Sequence, residues 1–369
     1  MKMRGPVASL LALAGLGLVM PCLSCAYGSA APEARPSPSP KYDGPRAGCA
    51  DIPEPRVLMR LDVAFGETAG PLALFGGRAY VRTQERFAVV DLDGANAETL
   101  LGSSVTARME SFVVDEGGVF YVDAPERGVD RRHIMRIPLQ GGEPSRVDDP
   151  SADPETLSHV WLIGSDGPDL LWRGKGDAGD VAGRVSKATG AIRAASLETY
   201  RAPTIVFVDG WWWWADAWGI EPGIYRVQGE LPVPDLAERV VGPYADRFFV
   251  TSDAVISSGR YPISRFTHDG RLREAIVNPH DQLIEPEAAG NVLYADTTGV
   301  IVLKPRSSVN RATDVLLRHD FATGEVDILA CGVMEGVAPP PAFAADAHHV
   351  VWVQRERQSH HSNLVMTEW

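Results

Sequence analysis

A short apolar unit with an aromatic residue at its centre recurs along the chain, usually after another apolar run and a Gly or Asp turn. This alternation of apolar runs and turns predicts short β-strands joined by tight connections. The chain runs 272 residues from Tyr80 to Trp352 over six intervals, about 45 residues each, which is the period of a four-stranded blade. The seven copies are Ala79-Tyr80-Val81, Phe120-Tyr121-Val122, Leu171-Trp172-Arg173, Trp213-Trp214-Ala215, Phe248-Phe249-Val250, Leu293-Tyr294-Ala295 and Val351-Trp352-Val353.

A second element follows the aromatic unit in six copies, namely a strand that ends in a turn glycine. Glycine supplies the positive φ that a tight hairpin needs. The seventh copy stops at its third strand, Leu364 to Trp369, without such a glycine. The alternating segment Arg56 to Val63 has no repeat of its own, so we expect it to complete the last blade by pairing with Asn363 to Glu368. The turn glycines are Gly94, Gly141, Gly190, Gly229, Gly270 and Gly324.

Together these features predict an all-β fold, a seven-bladed β-propeller of four-stranded antiparallel blades over residues 56–369. The 36 Gly and 28 Pro residues favour many short strands over long helices. Six blades, with one copy absorbed as an insertion, is the alternative.

The aromatic doublet followed by Asp and a glycine turn resembles the YWTD-type and TolB-like β-propellers. Three copies keep the Asp, at Asp123, Asp216 and Asp296. The resemblance covers about Arg56 to Trp369 and supports the fold, although those families usually have six blades. It transfers no functional residue, because propellers carry unrelated functions.

The N-terminus has the pattern of an export signal. Lys2 and Arg4 precede an almost wholly apolar stretch from Gly5 to Met20, which is too short for a comfortable membrane span. We interpret residues 1–24 as a signal peptide and Cys25 as the lipidated first residue of a bacterial lipoprotein. Cys22 occupies the position where Leu is usual, so ordinary cleavage after Ala26 or Ala30 is the alternative.

Residues 25–55 are predicted to form a tether rich in Pro, Ser and Ala. Four prolines lie between Ser29 and Pro40, and such sequences form extended, semi-rigid spacers. We therefore expect an exported protein held at the bacterial outer membrane or in the periplasm by its lipid anchor, or a secreted one if Cys25 is not lipidated.

The remaining cysteines, Cys49 and Cys331, lie at opposite ends of the folded region. An exported protein permits a disulfide, and this one would fasten the closure of the ring. Two isolated buried thiols are the alternative.

Composition excludes some functions and the motif search offers no catalytic one. The formal net charge is −13, so the chain has no general field for nucleic acid or anionic lipid. We find no nucleophile elbow, zinc-protease motif, phosphate loop or dinucleotide fingerprint, and predict no catalytic residue, cofactor or metal. Asp91-Leu92-Asp93-Gly94 is interpreted as a turn, since its later ligands lack calcium-loop spacing.

Two histidine pairs, His348-His349 and His360-His361, lie near the C-terminus. A shared metal site would require the pairs to be close. Antiparallel pairing places His349 opposite the far end of the next strand, roughly 20 Å from His361. We therefore expect solvated histidines and no metal.

The run Trp211 to Trp214, with Trp218 nearby, is the most unusual local feature. Alternate strand residues face opposite sides, so Trp211 and Trp213 should face one neighbouring blade and Trp212 and Trp214 the other. Core packing explains most of the run. Trp211 and Trp218 at its ends are the candidate ligand-binding residues, because an exposed indole stacks on sugars and aromatic groups.

Two functions remain from the sequence. The first is a non-enzymatic, monomeric binding scaffold for a protein or glycan partner at the cell envelope, with the membrane contacted only through the lipid anchor. The alternative is an envelope hydrolase or lyase whose acidic residues converge at the channel mouth.

Overall fold

The computed structural model describes Cys49 and residues 52–61, 70–106, 109–124, 132–149, 160–176, 179–197, 204–216, 221–242, 247–258, 263–276, 291–304, 315–333, 342–355 and 361–369. The chain divides into two units, Met1–Ser37 and Pro38–Trp369, and all described residues belong to the second. No helix among these residues is long and apolar enough to cross a membrane.

The described residues form seven antiparallel sheets of four strands each, so the predicted fold and blade count are confirmed. Strand β1 is Arg56–Leu61. Blade one contains β2 (Leu72–Phe75), β3 (Arg78–Arg82), β4 (Arg86–Asp91) and β5 (Glu98–Gly102); blade two contains β6 (Met109–Asp115), β7 (Gly118–Asp123), β8 (His133–Ile137) and β9 (Ser145–Arg146). Blade three contains β10 (Val160–Asp166), β11 (Asp169–Gly176), β12 (Gly179–Ser186) and β13 (Ile192–Ser196); blade four contains β14 (Ile205–Val208), β15 (Trp211–Asp216), β16 (Gly223–Gln228) and β17 (Glu238–Val241). Blade five contains β18 (Arg247–Val250), β19 (Val255–Ser258), β20 (Ile263–Phe266) and β21 (Leu272–Ile276); blade six contains β22 (Asn291–Ala295), β23 (Gly299–Lys304), β24 (Val315–Asp320) and β25 (Val326–Cys331). Blade seven contains β26 (Phe343–Ala345), β27 (His349–Arg355) and β28 (Ser362–Glu368), with β1 as its outer strand.

Helical structure in the described residues comprises the short helix α1 (Ser103–Thr106), a 3-10 turn at Pro234–Leu236 and a 3-10 conformation at Cys49.

The apolar core is divided among the interfaces between blades. Seven clusters of buried apolar residues are present in the described region, one at each interface. Both faces of a blade are therefore buried, which explains why the second strands are nearly continuous apolar runs. The cluster that joins blade seven to blade one contains Leu61 and Leu364 from the former and Val81 from the latter, so the ring is closed.

The predicted closure by the N-terminal strand is confirmed. Strand β1 pairs antiparallel with β28, Arg56 opposite Met366 and Leu61 opposite Ser362. Leu58 and Leu61 are buried while Val57 is exposed, so the strand contributes one apolar face to the core. The predicted disulfide is also confirmed, because Cys49 and Cys331 are bonded with their Cα atoms 5.9 Å apart.

The prediction that the aromatic occupies the same slot in every copy is wrong for two blades. Tyr80, Tyr121, Trp172, Trp214 and Trp352 lie on the second strand of their blades. Phe249 and Tyr294 lie instead on the first strands of blades five and six. This shift by one strand explains the 35-residue interval before Phe249 and the 58-residue interval after Tyr294.

The small residue Ser257 and the aliphatic Val302 take the aromatic slot in those two blades. Ser257 pairs with Ser264 and Val302 with Leu317, as Tyr121 pairs with Met135 in blade two. A second strand buried on both sides accepts any side chain that fills the space between blades, so the aromatic is not required there.

Candidate functional site

The two ends of the ring differ in their connections. One end, which we call the turn face, carries the turns between first and second strands and between third and fourth strands. The other end, the loop face, is where second strands end and third strands begin. The first strands lie innermost, since β2 contacts β6 and β26, and β10 contacts β6 and β14.

Trp211, a predicted ligand-binding residue, begins β15 at the turn face and is half-buried. The hairpin turn before it is Asp209-Gly210, with φ of 51° and 81°. The guanidinium of Arg226 lies over its ring, 4.5 Å from the ring centre, and is itself paired with Glu238. Trp211 is therefore held in one orientation by a cation–π contact. Its partner in the prediction, Trp218, lies outside the described residues.

The other tryptophans of the run are core residues, as predicted. Trp212 and Trp214 pack into the cluster between blades three and four. Trp213 packs into the cluster between blades four and five, and Trp211 lies against the same cluster. Because successive side chains of a strand point to opposite faces, each indole lies at the interface that the sequence predicts.

The turn face of blade four, where Trp211 begins its strand, also carries an exposed apolar segment, Glu230–Leu236, which we call the blade-four turn. Leu236 is 73% exposed and Val233 is 39% exposed. Only Val57 and Leu272 are other exposed large apolar side chains in the described part of the chain. Single exposed apolar residues are ordinary, but here two lie on one turn.

The blade-four turn is held at its first residue, Glu230. The Glu230 carbonyl accepts hydrogen bonds from Arg184 Nε at 2.8 Å and Trp212 Nε1 at 3.2 Å, while Arg193 lies 2.6 Å from the Glu230 carboxylate. Pro232 and Pro234 restrict φ within the turn. Its apolar tip is thus presented in one conformation, which lowers the entropy lost on binding.

Sequence reasoning missed a repeated arginine on the third strands. In three blades its guanidinium lies on an aromatic ring of the next blade, which adds a cation–π contact to the apolar packing. The distances to the ring centres are 4.4 Å for Arg184 and Phe207, 4.1 Å for Arg265 and Phe321, and 4.7 Å for Arg318 and Trp369. The available signal was an arginine within six residues before five of the six turn glycines, all except Gly94.

The arrangement closest to a catalytic site is formed by Asp115, Ser165 and Lys187 on the turn face between blades two and three. Ser165 Oγ lies 2.7 Å from Lys187 Nζ and 2.5 Å from Asp115 Oδ2. Burial alone would raise the pKa of Asp115, but hydrogen bonds from Lys187, Ser165 and Gly117 outweigh burial and hold the pKa below its usual value.

Lys187 is fully engaged in this network. Its side-chain nitrogen donates to Asp115 Oδ2 at 2.5 Å, to Ser165 Oγ and to the Gly167 carbonyl at 2.5 Å. The Asp115 carboxylate also accepts from Ser165 Oγ. Because Asp115 belongs to blade two and Ser165 and Lys187 to blade three, we interpret the network as a joint between two blades.

The predicted separation of the two histidine pairs is confirmed for their described members, His349 and His361. His349 pairs with Glu368, whereas Ser362, next to His361, pairs with Arg355 at the other end of the same two strands. His349 Nδ1 lies 3.0 Å from Asp346 Oδ1. In the described ranges no three His, Cys, Asp or Glu residues are close enough to hold a metal ion. His360 and Cys25 lie outside those ranges.

The Asp91-Leu92-Asp93-Gly94 segment forms the predicted turn. Gly94 has φ of 84°, and its N–H donates to the Asp91 carbonyl at 2.8 Å. The Asp93 carboxylate accepts from the Ala95 N–H at 2.8 Å, and the Asp91 carboxylate pairs with Arg78. Both acids are used within the turn and its flanking strand.

Comparison with known proteins shows the fold alone. No family model matches the sequence, and no curated protein sequence matches it. The β-propeller domain of the Trilobed protease from Pyrococcus furiosus superimposes with a TM-score of 0.55 at 11% identity, covering 83% of this chain and 94% of that one. The AfRom2 CNH domain gives 0.53 at 9% identity over 85% and 98%. TolB from Acinetobacter baumannii gives 0.41 at 17% identity over 80% and 64%, too low to support an inference.

These likenesses and the seven sheets define the chain as a seven-bladed β-propeller protein. The resemblance read from the sequence is confirmed as far as the propeller fold. The Trilobed protease propeller is described as having an open velcro topology, whereas β1 pairs with β28 here and closes the ring.

Proposed function

We propose that this protein is an exported, lipid-anchored binding scaffold that engages a protein partner at the cell envelope through the turn face of blade four. The observation that carries the proposal is the blade-four turn, whose exposed Leu236 and Val233 lie at the same end of blade four as the half-buried Trp211. Exposed apolar patches on monomeric proteins mark interaction sites, and half-buried tryptophans are frequent binding hot spots. A glycan partner, also expected from the sequence, would use Trp211 alone.

The export signal supports the proposed location, and the tether supports a domain held away from a membrane. The net charge of −13 argues against nucleic acid as the partner. We do not favour the enzyme alternative, because the nearest catalytic arrangement among the described residues, at Ser165, is an ion-paired network that joins two blades.

Substituting Val233 and Leu236 together by Ser is expected to abolish capture of the partner from solubilised envelope. The matched control is Val57→Ser, which changes a valine that is 54% exposed on the far blade and should leave capture unchanged. Loss of two exposed aliphatic anchors at an interface core typically weakens binding by more than tenfold, about 1.4 kcal/mol. Immunoblotting or mass spectrometry of the captured material, normalised to bait, measures the effect.

Treating the envelope before capture separates the two partner classes. Protease digestion should remove a protein partner, while periodate oxidation of sugar diols should leave it. If periodate alone removes the captured material and Trp211→Ala alone weakens binding, the partner is a glycan. Equal capture by wild type, the double variant and the control would overturn the proposed surface.

The lipid anchor has a separate test at Cys25. Cells grown with a labelled fatty acid should incorporate the label into the wild-type protein and not into Cys25→Ala, because thioether lipidation requires that sulfur. Fractionation should then place the wild type with membranes and the variant in the soluble envelope fraction. Equal labelling of both proteins, or of neither, would instead support ordinary secretion.

A further inference from the structure

Three charged side chains lie together at the loop face where the inner strands of blades one and two begin. Glu110 is the second residue of the inner strand β6. Arg132 precedes β8 and grips the Glu110 carboxylate with two nitrogens, Nε at 2.9 Å and Nη2 at 2.8 Å. Arg82 ends β3 in blade one and is close enough for Glu110 to act on its pKa.

The Arg82 side chain packs in a space bounded by Gly70 and Thr106. Its Nε donates to the Thr106 carbonyl at 3.0 Å. Gly70, just before the inner strand β2, leaves room for the side chain, because a Cβ at that position would lie 2.7 Å from Arg82 Cδ and 2.9 Å from Nη1. Thr106 is itself buried and donates to the Gln84 carbonyl at 2.7 Å, so the Arg82 acceptor is fixed.

The charges of this cluster do not balance within the described residues. Glu110 carries one negative charge, and Arg132 engages both of its oxygens side by side, the strongest geometry for such a pair. Arg82 finds no carboxylate of its own in the described part of the chain. Burial lowers the pKa of Arg82 and the nearby Glu110 carboxylate only partly offsets this, as expected for a guanidinium partly removed from water.

Within the described ranges, the hydrogen bonds of the two arginines leave Arg82 Nη1 and Nη2 and Arg132 Nη1 without an acceptor. Nη1 and Nη2 of Arg82 lie side by side at the end of its guanidinium. Two parallel N–H groups match the two oxygens of a carboxylate. The cluster has one net positive charge, which a singly charged carboxylate neutralises, whereas a doubly charged phosphate would leave a surplus negative charge in a partly desolvated place.

We propose that Arg82, supported by Arg132, forms a carboxylate-binding site at the loop-face mouth of the channel. The site is independent of the proposed partner surface, which lies on the opposite face of the ring. Its ligand carries a carboxylate that approaches the end of the Arg82 guanidinium. Glu110 is paired with Arg132 and thereby fixes the position of the Arg132 guanidinium.

Titration with acetate at constant ionic strength, held with chloride, tests the site. The readout is the ¹H–¹⁵N NMR signals of the arginine side chains in the mature wild-type protein. We expect saturable shifts of Arg82 and Arg132 signals. Arg82→Gln should weaken acetate binding, read from Arg132, at least tenfold. Gly70→Ala should weaken it as well, since the added methyl displaces Arg82 without removing its charge.

The matched control is Arg86→Gln. Arg86 lies at the loop face of the same blade and donates through Nη2 to the Arg60 carbonyl at 2.9 Å, but has no part in the cluster, so acetate binding should be unchanged. Arg82→Lys keeps the charge and loses the paired donors, and should bind acetate more weakly than wild type.

Four results would overturn the proposal. Absence of saturable shifts in the wild type would remove the site. Equal weakening by Arg86→Gln and Arg82→Gln would indicate general counterion attraction. If Arg82→Lys bound acetate as tightly as wild type, the site would recognise positive charge alone and not the paired donors. If inorganic phosphate bound more tightly than acetate, the ligand would not be a carboxylate.

Discussion

Deleting the chain through Leu61, which removes the closing strand β1, is expected to destabilise the whole ring far more than deleting it through Gly48. The longer deletion removes Leu58 and Leu61 from the interface between blades seven and one and leaves the edge of β28 unpaired. Full burial of an aliphatic side chain contributes about 1.5–3 kcal/mol, so two such side chains are a large share of the 5–15 kcal/mol typical of a folded domain. The shorter deletion retains both the strand and the disulfide.

The disulfide adds a separable contribution to the same closure. Cys49 and Cys331 are separated by 282 residues, and the chain-entropy argument gives on the order of 5 kcal/mol for so long a loop, an upper guide because residual unfolded structure reduces it. Cys331→Ser should therefore lower the free energy of unfolding while β1 still pairs. Reduction with dithiothreitol should have the same effect on the wild type and none on the variant.

Urea unfolding followed by tryptophan fluorescence measures these effects. Within β1, Leu61→Ala should cost about 2–5 kcal/mol, the usual range for a buried leucine. Val57→Ala, at an exposed position of the same strand, should stay within about 0.5 kcal/mol of wild type. If the deletion through Leu61 unfolds at the same urea concentration as the deletion through Gly48, β1 does not hold the ring closed.

Repetition is what made the fold predictable. Each blade must bury two faces, so the sequence repeats an apolar unit, and the unmatched elements Arg56–Leu61 and Ser362–Glu368 identify one another by elimination. The assignment of alternate tryptophans to opposite interfaces follows from the period of two in a strand. Aromatic side chains alone gave the wrong strand in blades five and six, because Phe249 and Tyr294 pack from the inner strand against the interface with the next blade.

The candidate sites were not predictable, because they depend on contacts between blades. Asp115 and Lys187 are 72 residues apart, and Arg82 and Glu110 come from different repeats. Their meeting is set by the angle and register between neighbouring sheets, which one sequence does not encode as a local pattern. The blade-four turn left a local signal, a longer connection with Pro232 and Pro234, but its exposure follows only from the packing of Glu230 beneath it.

The turn glycines have a second role that the hairpin argument does not include. All six have positive φ, as predicted. Gly270 also lies against the outer strand of blade four, where an added Cβ would come well under 3.0 Å from the Val240 carbonyl oxygen. Gly190 meets the Val147 carbonyl and the Asp149 N–H of blade two in the same way. These turns are therefore contact points between outer strands.

Gly270→Ala is consequently expected to destabilise the protein much more than Gly210→Ala. The two glycines have nearly the same φ, 82° and 81°, so alanine pays the same penalty of about 1–2 kcal/mol for the left-handed conformation at each. Nothing lies within 4 Å of a Cβ at Gly210, whereas a Cβ at Gly270 meets backbone that cannot rotate away. Overpacking against backbone adds about 1–3 kcal/mol or more, and separates blades four and five where Val241 and Ile224 are buried.

Asparagine variants distinguish the cost of the left-handed backbone conformation from the cost of the clash with Val240. It tolerates the left-handed conformation, so Gly210→Asn should recover most of the stability lost in Gly210→Ala. Gly270→Asn retains the Cβ and should remain as unstable as Gly270→Ala, because the clash with Val240 persists. Urea midpoints of the four variants, each compared with wild type, give the differences. Equal losses at positions 210 and 270 would show that backbone conformation alone requires the glycine and that the contact between outer strands contributes nothing.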